Sequence, residues 1–177
     1  MTDLMIILGS PASGKTTLAR RLAAELAVPC LCKDDIKEAL FDVLGVMDRV
    51  QSRRLSDASF AGLERLALTQ LQAGLSCILE GNWRAEHAAV LAGILSAAGA
   101  RSAQVWCRAD AREIERRFTS RTRHAGHQDA AWPREEVQRW SRMAPAFLDL
   151  PGPRWVFDSD DSAAFGRLLG AMKTWRV

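Results

Sequence analysis

Gly9-Ser10-Pro11-Ala12-Ser13-Gly14-Lys15-Thr16 fits the spacing G-x-x-x-x-G-K-[ST]. Leu4-Met5-Ile6-Ile7-Leu8, just before it, is an unbroken apolar run, which predicts a strand buried on both faces. After it, Leu18, Leu22 and Leu26 recur every fourth residue with Ala19 and Ala23 beside them, which predicts a helix over 17–26. Strand, glycine-rich turn and helix together place the turn's N–H groups and the helix N-terminus around one concavity, a cage of donors suited to phosphate oxygens. Gly9 and Gly14 permit backbone conformations and close approach that a side chain would block. In such a loop Lys15 sets a positive charge against the outer phosphates, and the Thr16 hydroxyl is suited to Mg²⁺.

The chain has 177 residues, enough for one domain with a proper core. Hydrophobic and charged fractions of 48% and 25% are those of an ordinary soluble globular protein. No apolar run approaches the ~20 residues of a membrane span. The first strand begins directly at the N-terminus, which leaves no room for a signal peptide and leads us to expect a cytoplasmic protein. Cys30, Cys32, Cys77 and Cys107 all fall in predicted strands, so reduced cysteine serving as a small core hydrophobe is the expectation; no ligand spacing for zinc is present. A net charge of +3 does not by itself point to nucleic acid. Its distribution is uneven, with arginines crowding the stretch 101–142.

Along the chain, strands are expected at 28–33, 75–79, 102–107 and 155–157. Helices are expected after Asp35, with Ile36, Leu40, Val43 and Leu44 on one face, and over ~50–74, with Leu55, Leu63, Leu66 and Leu71 as core positions. Further helices are expected through 88–98, from Asp110 with Glu113 as a capping box, over 134–148, and over 163–175. The stretch His124 to Pro133 interrupts this pattern. Alternating strands and helices predict a three-layer α/β/α arrangement around a parallel sheet. Ligands on such sheets gather at the carboxyl ends of the strands. Those ends here are Gly9, Asp34, Glu80, Arg108 and Asp158.

Asp34 and Asp35 end the second strand, where a carboxylate can orient an acceptor hydroxyl and receive its proton; either one can also cap the following helix. Lys37, one turn past Asp34, is placed to meet an anionic group on a substrate. Glu80 ends a strand where an acid serves Mg²⁺, and Asn82 and Arg84 follow at a loop-to-helix junction, within reach of an acceptor. Arg117 and Arg121 lie four apart on one expected helix, so they should share a face and offer guanidinium groups to transferring phosphate. Residues 123–129, with Gly126 as a joint, suit a mobile lid, in which His124 and His127 fit substrate contact or lid structure better than metal.

Three regions carry a resemblance: Gly9 to Thr16, Lys33-Asp34-Asp35-Ile36-Lys37, and Glu80-Gly81-Asn82 together with residues 113–121. In these the chain resembles small P-loop kinases of the polynucleotide 5′-kinase, zeta toxin and chloramphenicol phosphotransferase group. The resemblance implies a five-stranded sheet in the order 2-3-1-4-5 and Asp34 rather than Asp35 as the base. It also implies Arg117 and Arg121 as lid or phosphate residues, the lid spanning about 117–135. Lys37 stands where the polynucleotide kinases carry Arg, and is closer to the zeta toxins.

The expectation is therefore a single P-loop domain over 1–177 that uses ATP and Mg²⁺ to phosphorylate a hydroxyl of a small molecule. Gly9, Ser10, Pro11, Ala12, Ser13, Gly14, Lys15, Thr16 and Thr17 would bind ATP, and Thr16 and Glu80 would serve the metal. Asp34, Lys15, Arg117 and Arg121 would carry catalysis, and Asp35, Lys37, Asn82 and Arg84 would contact the acceptor. A polynucleotide 5′-hydroxyl kinase, a zeta-like nucleotide-sugar kinase and a non-enzymatic nucleotide-dependent switch are the alternatives. Nucleic acid is the less favoured partner.

Overall fold

The computed structural model describes residues 1–45 and 48–176. Its central sheet has five parallel strands in the order β2-β3-β1-β4-β5, with β1 at Asp3–Gly9, β2 at Cys30–Cys32, β3 at Cys77–Glu80, β4 at Arg101–Arg108 and β5 at Arg154–Asp158. The order matches the one implied by the resemblance. Central strand β1 is buried from Asp3 to Leu8, and its side chains alternate between two cores. Leu4, Ile6 and Leu8 pack with Phe60, Leu63, Leu91 and Leu95, which belong to helices α3 (Arg49–Gln72) and α4 (Ala88–Ala98). Met5 and Ile7 pack with Leu18, Leu22, Phe165 and Leu168, from α1 (Lys15–Leu26) and α7 (Ala164–Arg176). Helices thus cover both faces, as an all-parallel sheet requires. Three further helices complete the described fold: α2 (Lys33–Leu44), α5 (Ala111–Ser120) and α6 (Arg134–Ser141). Among the described residues no helix is long and apolar enough to cross a membrane.

The cysteines sit where small core residues were expected. Cys32, Cys77 and Cys107 are buried, and Cys30 lies beside Cys32 with the two sulfurs 3.6 Å apart. Burial pushes the thiol of Cys107 up to about 11 and that of Cys77 to about 12, so both stay protonated.

Several helical expectations need correction. Leu66 is 45% exposed; the inward stripe of α3 runs instead through Ser52, Leu55, Ser59, Leu63, Ala67 and Leu71. On α2 the expected apolar face divides: Ile36 and Leu40 are half-buried, with Ile36 against the core, while Val43 and Leu44 are exposed. The buried face of α2 carries Lys33, Lys37 and Phe41, one turn apart. An inward face bearing two lysines gives no apolar periodicity to read. Helix α6 stops at Ser141 rather than Leu148. Pro145 lies beyond this end; it lacks the N–H that a continued helix needs and disfavours helical backbone before it. At α5 Asp110 does cap, accepting from the Arg112 N–H, but Glu113 turns to Arg116 and Arg117 instead of completing a capping box.

The non-helical segment after α6 is tied to the sheet by Gln104, which is fully buried on β4. Its Oε1 accepts from the Leu148 N–H at 2.7 Å, and its Nε2 donates to the Leu148 carbonyl at 3.1 Å. Gln104→Leu would leave a buried amide without its acceptor, at a cost of about 1–3 kcal/mol. We expect the denaturant midpoint to fall accordingly; an unchanged midpoint would show that the clamp adds nothing to stability.

Candidate nucleotide and acceptor site

The loop between β1 and α1 is built from backbone that ordinary residues avoid. Gly9 has φ +142°, and a Cβ there would lie 2.2 Å from the Cys107 carbonyl of β4. Gly14 has φ +96°, and Ala12 also has positive φ at 62°. The result is a tight arch whose Ser13 N–H donates to the Ser10 carbonyl at 3.2 Å. The first-turn N–H groups of α1 have no carbonyl a turn earlier to bond, so they remain donors at the mouth of the arch. Lys15 Nζ folds back to the Ser10 carbonyl at 2.8 Å. Burial pulls the Lys15 ammonium below its ordinary value, against the opposing pull of Glu80, Cys107 and Asp34.

Glu80, at the end of β3, is 3% exposed and accepts from Thr16 Oγ1 at 3.1 Å. Burial raises its pKa, and the nearby Lys15 opposes that rise. A hydroxyl and a carboxylate side by side next to the phosphate loop form the hard-oxygen donor set that Mg²⁺ accepts, with water and ligand oxygens completing the shell. Among the described residues no group of three or more His, Cys, Asp or Glu is placed to hold a metal by itself.

Asp34 lies in the first turn of α2 and lines a cavity of about 1050 Å³ that reaches from Gly9 and Ser10 to α3 and α6. Its Oδ1 accepts from Lys33 Nζ at 3.1 Å, and its Oδ2 accepts from Arg123 at 2.5 Å. Burial pushes the Asp34 carboxyl up, but Lys33, Arg123 and His127 together overcome this and hold it down at about 2. Asp35 is not part of the cavity lining; it pairs with Arg20 at 2.8 Å, both side chains more than half exposed. Lys37 is 7% exposed, donates to Ser52 Oγ at 3.1 Å, and sits 5.0 Å from the centre of the Phe41 ring. Burial, with Lys33 beside it, lowers Lys37 to about 8. Asn82 and Arg84 both line the cavity, with Arg84 paired to Glu86 at 3.0 Å.

Arg117 and Arg121 do not share a helix face. Helix α5 ends at Ser120, and Arg121 has extended backbone. Arg117 stays beside Gly14 but is tied to Glu113 at 2.7 Å, Ser159 at 2.9 Å and Asp160 at 2.9 Å. Arg121 turns into the cavity, stacked 4.4 Å over Phe118 and bonded to Asp129 at 2.8 Å.

Residues 121–133 cross above α2 through two short 3-10 turns, at Ala125–His127 and Asp129–Ala131. Arg123, His127 and His124 contact Asp34, Glu38 and Asp42 at 2.5, 2.8 and 3.0 Å. Those three acids stand on successive turns of α2. Phe41 stacks against His124 and meets His127 edge-on. Trp83, Trp106, Trp132 and Trp140 line the cavity, and Arg49 lies 4.4 Å over Trp132. Ser10 Oγ donates to the Trp140 carbonyl at 2.6 Å, joining the phosphate loop to α6.

The sequence reading passed over Lys33, Ser52, the tryptophans and the role of Arg123 as partner of Asp34. The fourfold spacing of Asp34, Glu38 and Asp42 was a visible signal for the last; nothing in the pattern marks a lysine as buried.

The sheet order, the arch, Glu80 at the end of β3 and Asp34 just past β2 define a P-loop protein with a kinase-like fold. The chain belongs to the family described as AAA domain, which matches residues 4–146. It is similar to a candidate kinase from Chloroflexus aurantiacus J-10-fl, with 32% identity, a TM-score of 0.87 and coverage of 98% of this chain and 97% of that one. It shares the fold of a sugar kinase from Janibacter sp. HTCC2649 at 18% identity, TM-score 0.64, covering 99% and 94% of the two chains. It shares it also with the APS kinase CysC of Mycobacterium tuberculosis, solved with AMPPNP and APS, at 17% identity, TM-score 0.59 and coverage of 98% and 96%. No curated protein matches the sequence.

Gly126 is what lets the crossing segment lie so close to α2, since a Cβ there would fall 2.3 Å from Phe41 Cδ2. Gly126→Ala should lift the segment. Amide hydrogen exchange over 123–129 should then speed up while β1 and α1 stay protected; unchanged exchange would show that Phe41 yields instead.

Proposed function

We propose that this protein is a kinase that transfers the γ-phosphate of ATP to a hydroxyl of a small molecule. The observation that carries the reading is the meeting of the phosphate arch, the Thr16–Glu80 pair and Asp34 at one edge of the sheet, with Asp34 and the arch facing a common cavity. The 32%-identical candidate kinase supports it. Gly9 to Thr17 hold the ATP phosphates through backbone donors, and Lys15 leaves the Ser10 carbonyl to meet them. Thr16 and Glu80 are the residues that would hold Mg²⁺, which when bound neutralises charge on the phosphate oxygens. Asp34, ionised at any working pH, orients the acceptor hydroxyl and takes its proton. Arg121 faces the transferring group from the cavity wall, and Arg117, at the shoulder of the arch, serves there once its carboxylate partners yield.

The segment from about 117 to 135 acts as a lid over this site. Lys37, buried beside Ser52, binds an anionic group of the acceptor, and Asn82 and Arg84 contact the acceptor at the cavity wall. Asp35, paired outward with Arg20, holds the start of α2 rather than the acceptor itself. The finer likeness to the polynucleotide kinase and zeta toxin group belongs to this proposal. One observation favours a 5′-hydroxyl polynucleotide as a second reading of the acceptor: the lining interleaves tryptophans with Arg49, Arg53, Arg84 and Arg139.

The test is phosphate transfer from γ-labelled ATP to a panel of sugars, nucleosides, nucleotide sugars, aminoglycosides, chloramphenicol and 5′-hydroxyl oligonucleotides. We expect an acceptor-dependent product. In Asp34→Asn, nucleotide affinity should persist while transfer falls by about 10²–10⁴-fold; undiminished transfer would remove Asp34 as the base. A second expectation follows from Lys37. Its ammonium is lost as pH rises through about 8, so kcat/KM for an anionic acceptor should decline above that pH. In Lys37→Arg the decline should vanish, and a limb unmoved by that substitution would assign it to another group.

A further inference from the structure

The carboxylate on which the proposed chemistry rests is covered. Both Asp34 oxygens already accept charge-assisted bonds, Oδ1 from Lys33 and Oδ2 from Arg123. Lys33 belongs to the same helix and is 5% exposed, so its contact is part of the fold. Arg123 reaches Asp34 from the crossing segment, across a sequence separation of 89 residues. His127 Nε2 lies 2.9 Å from the same Arg123 nitrogen and 2.8 Å from Glu38, and that one ring nitrogen either accepts from Arg123 or donates to Glu38. His124 on Asp42 and Gly126 on Phe41 complete a seam that follows α2 turn by turn.

Arg123 also has a second carboxylate within reach. Its other terminal nitrogen lies 3.6 Å from Asp129, which is shared with Arg121. Moving Arg123 off Asp34 therefore leaves it paired with Asp129 and does not strand a half-buried guanidinium. An acceptor that reaches Lys37 from the cavity enters where Lys37, Ser52 and the Gly126 carbonyl are linked, the last contact being only 3.3 Å. Entry there presses on the segment that carries Arg123.

We propose that Arg123 is a positioning residue that covers Oδ2 of Asp34 until an acceptor is seated, and so denies water the place of the acceptor. The proposal rests on the kinase reading with Asp34 as base. The reaction it suppresses balances simply. A water oxygen bonds to the γ-phosphorus, the bond from that phosphorus to the bridging oxygen of ADP breaks, and the water's proton goes to Asp34 Oδ2. ADP and orthophosphate result. With Arg123 in place that oxygen is already bonded, and Lys33 and Arg123 hold the proton affinity of Asp34 low.

The experiment measures release of orthophosphate from Mg-ATP by the full chain with no acceptor present. Arg123→Gln should raise this hydrolysis by about 10-fold over wild type, a modest share of what a positioned base supplies. The double variant Arg123→Gln/Asp34→Asn should lose the gain, and Arg123→Lys should return hydrolysis toward the wild-type level. A residue with only a structural role would lower turnover, not raise it. Should Arg123→Gln fail to fold, His127→Gln, which removes the imidazole between Arg123 and Glu38 and leaves Arg123 in the chain, should show a rise in the same direction. Unchanged or lower hydrolysis in these variants, with wild type still phosphorylating an acceptor, would overturn the proposal and leave the kinase reading standing. No transfer by wild type to any acceptor, with no hydrolysis by any variant, would overturn both.

Discussion

Charge is buried at the carboxyl edge of this sheet, and the surrounding structure is arranged around that fact. Lys15 and Glu80 lie within each other's field, both almost free of solvent, and each offsets part of the other's desolvation. A short distance away Lys33 and Arg123 hold a single carboxylate, Asp34, with the buried Lys37 ammonium in its field. Neither group is self-sufficient. The first carries a cation aimed at a carbonyl for want of a better partner, and the second carries more positive than negative charge. An edge of this kind is incomplete until anions enter it, and the arch of backbone donors beside it states what sort of anion belongs there.

Most of the frame was legible in the sequence because it is made of the strongest local signals. The apolar run Leu4 to Leu8 gave a doubly buried strand, and the glycine spacing gave the arch. Glu80 fell at the end of β3 as expected, whereas β2 stops at Cys32 and Asp34 lies in the first turn of α2. What escaped was whatever depends on contact between distant segments. Helix α2 reads poorly because its inner face bears Lys33 and Lys37 where a core helix would bear leucines. Arg117 and Arg121 look like helical neighbours, yet the helix stops between them and Asp129 draws Arg121 the other way. A burial pattern can be guessed from one segment; the partner of a particular arginine cannot.

The segment above α2 shows how little chain is needed to fasten one element across another. It has hardly any regular structure, and its hold comes from side chains matched to the helical repeat beneath it: Arg123, His127 and His124 against Asp34, Glu38 and Asp42. Such a hold is polar and half-solvated, so it separates at far smaller cost than the apolar cores under the sheet. A rigid floor and a lightly pinned cover are what a site needs if it must exclude water during one step and admit large anions at another.

The distribution of aromatic residues gives the molecule an optical property of its own. The chain has six tryptophans and no tyrosine, and four of the six line the cavity beside Asp34. Trp132 and Trp140 are in edge contact there, and the main chain of Trp140 is bonded to the phosphate arch through Ser10. Four of the six indoles that emit in the ultraviolet therefore stand in the walls of that pocket. Filling or reshaping that pocket registers as a change in colour and intensity, with no label attached.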